Sequence, residues 1–222
     1  MRLLVALALA ASPLIAQTPR TRLEGRVPAA ALPGLDSLIE QAVAESLPTE
    51  PLVQKALEGG AKGIPVGRLV NGVRHGLVQL RDARAIVSRA TPARTALDGD
   101  VAAVAAALAR GLDPQLVERL LSAVPAPPPG DPPGPVLHAA ADLMAHGFPA
   151  DSAADLLKTA EEQGLRGPRL LDVAVAASHE LQREGGRTPA EALARVRAML
   201  PNVPVAAPPH PRAVTRRAGP GS

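Results

Sequence analysis

At 222 residues the chain can bury a real core, in one domain or two small ones, yet it contains one Phe and neither Trp nor Tyr. It therefore lacks the usual stacking platforms for sugars and single-stranded nucleic acid. Without cysteine it has no disulfide, thiolate or Cys-ligated metal, and a formal net charge of +3 gives no reason to expect nucleic acid as a partner.

Met1 to Ala16 reads as a secretory signal peptide. Arg2 gives a positive start, Leu3 to Ala11 an apolar core, and Ser12-Pro13 a break ahead of a small residue. Cleavage after Ala16 leaves Gln17 first, and no cysteine follows the apolar core to carry a lipid anchor. The apolar run is well under the ~20 residues that a membrane span needs, and no other stretch qualifies. Residues 17–33 hold Arg20, Arg22, Arg26 and several prolines, and are expected to form an extended leader.

Residues 34–124 make a first helical half. Leu35 to Ser46 places Leu35, Leu38, Ile39, Ala42 and Val43 on one face, with Ser37 and Glu40 at capping-box spacing. Pro51 to Lys62 carries Leu52, Val53, Ala56 and Leu57 on one side. Pro65 to Ser88 is the longest helix expected, with Val66, Leu69, Val70, Val73, Leu77, Leu80 and Val87 as its apolar stripe. Gly67, Gly72 and Gly76 interrupt it, each weakening the helix by up to ~1 kcal/mol relative to Ala, or marking where another helix packs close. Val101 to Arg110 and Gln115 to Val124 form the next hairpin, with Asp113 as N-cap and Pro114 in the first turn.

Pro125 to Pro135, PAPPPGDPPGP, can be neither helix nor central strand and reads as a polyproline-like spacer. Residues 136–200 make the second half. Its centre is the stretch from Pro135 to Leu165, two helices about Gly147-Phe148-Pro149, with Phe148 expected to be buried at the corner. Pro168 to Leu181 follows, then Pro189 to Leu200, opened by the capping box Thr188-Pro189-Ala190-Glu191. Residues 201–222, rich in proline and bearing arginine, are expected to be a disordered tail.

The glycine–proline break recurs at Gly63-Ile64-Pro65, Gly111-Leu112-Asp113-Pro114 and Gly147-Phe148-Pro149, with Gly186-Arg187-Thr188-Pro189 as a looser copy. So short a break makes flanking helices antiparallel neighbours. The expectation is an all-α protein of degenerate helix-turn-helix hairpins, in two halves joined by the proline-rich spacer.

Catalytic patterns are incomplete. His138, Asp142 and His146 lie at i, i+4 and i+8, but on the face opposite the apolar stripe and with no further ligand indicated. His179-Glu180 begins like a zincin helix, and Arg183 stands where the second metal-binding His belongs. Ser152 and Ser178 lack a nucleophile elbow, and no phosphate-binding glycine loop is present. No catalytic residue, metal or cofactor is expected.

From Lys62 to Arg94 stand seven basic residues, including Arg68, Arg74, Arg81, Arg84 and Arg89, against the single acid Asp82. Acidic helices elsewhere either face this strip across the fold or leave it free for an anionic partner, with Arg68, Arg74 and Arg81 as the contacts. The sequence reads as an exported, non-catalytic binding or scaffolding protein of the cell envelope or exterior, periplasmic or secreted. Its partner would be an unidentified protein or a second copy. The alternatives are a protein held electrostatically on an anionic surface by residues 62–94, and a hydrolase with an unrecognised site.

Overall fold

The computed structural model describes residues 18–92, 95–123, 133–183 and 187–203. The signal peptide expected at 1–16, most of the proline-rich spacer expected at 125–135 and the tail beyond Val203 lie outside the described residues. Within them all regular structure is helical. The α-helices are α1 (Pro19–Leu23), α2 (Leu32–Ala44), α3 (Glu50–Ala61), α4 (Val66–Ala90), α5 (Asp98–Ala109), α6 (Pro114–Ala123), α7 (Gly134–Ala145), α8 (Ala150–Glu162), α9 (Arg169–Gln182) and α10 (Pro189–Met199). Short 3-10 turns at Ala29–Ala31 and Leu200–Asn202 complete the set. No described helix is long and apolar enough to cross a membrane.

Contacts group the chain into two compact units, residues 1–82 and 83–222, with the division inside α4. That grouping differs from the two halves expected around the proline-rich stretch. The reason is physical: prolines fix the local backbone but do not decide which helices pack across them.

In the first unit, residues 19–23 are helical where an extended leader was expected. The Thr18 hydroxyl accepts the Thr21 N–H, and Pro19 occupies the first turn. Leu23 is fully buried and Val27 buried, so this segment contributes to the core. Arg20 pairs with Asp36 on α2, and Arg22 with Glu50 on α3 at 2.5 and 2.8 Å. The helix α2 begins at Leu32, with Pro33 in its first turn, so Ser37 and Glu40 sit mid-helix and form no capping box. Ser37 instead accepts from the Gln41 amide. Val43, expected on the apolar face, is 62% exposed.

The glycines of this unit mark close approaches. A Cβ on Gly76 would lie 3.3 Å from Leu52, one on Gly72 4.0 Å from Lys55, and one on Gly59 2.4 Å from Leu69. Residue numbers rise along α3 as they fall along α4, so the two are an antiparallel hairpin. On the other flank Gly34 meets Val70 and Glu45 meets Arg81, so α2 runs parallel to α4. Gly67 has open space around it.

In the second unit each helix packs on the next and on the next but one. The next-but-one pairs are α5 with α7, α7 with α9, α6 with α8, and α8 with α10. The helices before the proline-rich stretch therefore share a core with those after it. Leu116, Leu120, Leu137, Leu143, Leu156 and Leu157 are its largest fully buried side chains together with Leu170.

Among the described residues, five helices end in one hydrogen-bond pattern. Ser46, Gly63, Gly111, Gly147 and Gly164 adopt positive φ, from 53° to 89°, and each donates its N–H to the carbonyl three residues back at 2.9 to 3.0 Å. The following residue, Leu47, Ile64, Leu112, Phe148 or Leu165, donates to the carbonyl five back at 2.8 to 3.2 Å. This is the Schellman arrangement, with an apolar side chain folded over the last turn. Ile64 is half-buried and the other four are buried, Phe148 at 3% exposed.

Candidate functional site

Arg68, Arg74 and Arg81 all lie on α4 and are exposed, but their charges are not equivalent. The Arg81 guanidinium is bound by Glu45, and Arg74 donates to the Asn71 side chain. Arg68 forms no ion pair among the described residues. Elsewhere in the basic stretch, Lys62 pairs with Glu58 and Arg89 with Glu118, while Arg84 also has an interaction partner. Acidic residues thus pair with three of these charges, and two of the three, Glu45 and Glu118, come from other helices.

The helices α6 and α8 leave an open groove of about 840 Å³ between them. Leu120 and Ala154 line it together with Arg119, Asp151, Asp155 and Lys158. Arg119 reaches across to Asp151 at 2.6 Å, and Lys158 lies 3.9 Å from Glu162. The Asp155 carboxylate forms no ion pair among the described residues. The lining thus combines three apolar residues, Leu120, Ala123 and Ala154, with side chains of both signs of charge.

The other candidate groups are occupied structurally. Asp142 pairs with Arg110, and the His146 Nδ1 meets the Asp142 carbonyl at 2.8 Å, so His138, Asp142 and His146 do not converge. No cluster of three or more metal-ligating side chains occurs among the described residues. Glu180 is buried between Arg183 and Arg187. Ser178 donates its hydroxyl to the Ala174 carbonyl.

One group departs from its reading in the sequence, where Glu161-Glu162 at a helix end is expected to be solvated charge. Glu161 on α8 is 7% exposed, and its Oε2 is buried without a hydrogen-bond partner among the described residues. Burial pushes its carboxyl up to about 7, partly opposed by the Arg166 charge. Beside Glu162 it reads as one of two solvated charges at a helix end, and only the packing of α8 separates them.

No protein-family model, curated protein or solved structure matches the chain.

Proposed function

We propose that the chain is an exported, non-catalytic binding or scaffolding protein of the cell envelope or exterior, periplasmic or secreted, built from degenerate helical hairpins. In this reading Met1 to Ala16 directs export and the proline-rich stretch is a stiff connection within the array. The observation that carries it is the packing order of the second unit. Among the described residues, hairpins α5–α6, α7–α8 and α9–α10 stack so that each helix packs chiefly on the next and the next but one, a quasi-one-dimensional arrangement that leaves long outer faces for partners. The groove between α6 and α8 is the contact surface of choice.

The test is a pull-down from the native envelope fraction with the mature chain as bait, repeated with Arg119→Glu and Asp155→Arg together. Both side chains are exposed, so the variant should keep its helicity. A partner held by the native chain and lost by the variant supports the reading. Captured proteins indifferent to the variant, or none, refute the groove as its surface.

The electrostatic alternative draws on Arg68, which forms no ion pair among the described residues, and on Arg74, held only by a neutral amide. It expects co-sedimentation with anionic vesicles that weakens steeply toward 0.15 M salt, where exposed charges are screened within ~8 Å. Replacement of Arg68 and Arg74 by Glu should abolish it.

A further inference from the structure

Glu161 occupies the last turn of α8, inside the hydrogen-bonded stop that closes the helix. Its own carbonyl accepts the Gly164 N–H at 2.9 Å, and the adjacent Ala160 carbonyl accepts the Leu165 N–H at 3.0 Å. Glu161 therefore sits at the joint where hairpin α7–α8 passes into α9–α10, 7% exposed, with its Oε2 buried and unpartnered among the described residues. A protonated acid tolerates such a place; a buried carboxylate without a donor does not.

The charges on the helices packed against α8 are engaged or turned to solvent. On α6, Glu118 holds Arg89 and Arg119 holds Asp151. On α7, Asp142 holds Arg110 and His138 is exposed. On α9, Asp172 pairs with Arg169, Glu180 pairs with Arg183 and Arg187, and His179 is exposed. On α10, Glu191 caps its own helix through Thr188, while Arg195 and Arg197 are exposed. On α8 itself, Asp155 is exposed and Lys158 faces Glu162. Arg166, exposed on the turn, is the charge that reaches Glu161, and burial outweighs it.

We propose that the α8–α9 turn is a pH-operated latch, closed while Glu161 is protonated and released when its ionised carboxylate moves out to water. The opened turn gives Glu161 an ordinary carboxylate pKa. The latch is therefore at full strength below about 4.5, weakens as pH rises, and reaches its weakest state once pH passes about 7. This inference is independent of the binding proposal.

The test is amide hydrogen exchange on the full chain from pH 4.5 to 8.5, corrected for the intrinsic pH dependence of exchange, read at Gly164 and Leu165. Their opening equilibrium should rise by up to about tenfold per pH unit and level off near 7, as for a single released proton. Leu112, in the corresponding turn between α5 and α6, should show no such rise. Glu161→Gln should flatten the profile at Gly164 and Leu165, and Glu161→Leu serves if the amide variant does not fold. A flat native profile overturns the latch, as does a slope that survives in the variants or an equal slope at Leu112. The native profile decides alone if neither variant folds.

Discussion

Arg81 holds Glu45 by two hydrogen bonds, Nε to Oε2 at 2.7 Å and Nη2 to Oε1 at 2.5 Å, tying the end of α2 to the middle of α4. Both side chains are about 40% exposed, so solvent screens the pair. Arg81→Ala should therefore lower stability only slightly in denaturant unfolding, and less at high salt. Glu45→Gln frees the guanidinium instead. If α4 meets an anionic surface, that variant should bind anionic vesicles more tightly than the native chain.

Phe148 is 3% exposed, and its N–H closes the stop of α7 on the Leu143 carbonyl at 3.1 Å. Its replacement by Ala should lower stability by about 3–5 kcal/mol, as at other buried Phe sites. Gly147→Ala tests the same turn through the backbone. At φ +85° an L-residue is strained, with a cost on the order of 1–2 kcal/mol. Thermal unfolding followed by circular dichroism reads both.

The glycines of the first unit should divide by their surroundings. Gly67→Ala meets open space and should stabilise α4 by up to about 1 kcal/mol. Gly60→Ala would bring its Cβ to 2.3 Å from the Arg26 carbonyl oxygen, and should destabilise by about 1–3 kcal/mol. Equal effects at the two positions would contradict the packing of α3 against residues 26 and 27.

Cleavage at Gly130-Asp131 by an inserted protease site should not release two folded pieces. The helices α5 and α6 pack on α7 and α8, so the fragment from Asp131 onward loses apolar cover on two of its helices. Purified alone, it should show weakened helicity and a broad thermal transition; a sharp, native-like transition would mean that its core is self-sufficient.

The Arg22 guanidinium beside Glu50, with a second donor from Gln54, holds the Glu50 carboxyl down at about 2. A depressed carboxyl contributes stability above its ordinary pKa and loses it as pH falls through the folded value. NMR titration of the Glu50 carboxyl should place its midpoint near 2. Arg22→Ala should move it back toward the ordinary carboxylate range.

The helices that were legible carry their signals locally. Pro114 after Asp113, and Thr188 with Glu191, specify two starts; Gly63, Gly111 and Gly147 specify stops; all depend on residues within one turn of the feature. The helix at 19–23 was missed because Leu23 and Val27 offer only a single i, i+4 step among arginines. Its order comes from the burial of Leu23 together with the pairs to Asp36 and Glu50, distant in sequence. Val43 failed for the converse reason: it continues the apolar face of α2 past the point where a neighbour covers it. Glu161 and Glu162 are identical residues side by side, and only tertiary packing makes one buried and the other exposed.

Each of the five shared helix stops is closed by hydrogen bonds within six consecutive residues. The terminator therefore travels with the segment that carries it. A duplicated hairpin inserted into α5–α10 would bring its own stop and disturb only the partners one and two helices away. By the same logic the stack can lengthen or shorten by whole hairpins while the surviving junctions keep their geometry, so its length is adjustable in hairpin-sized steps.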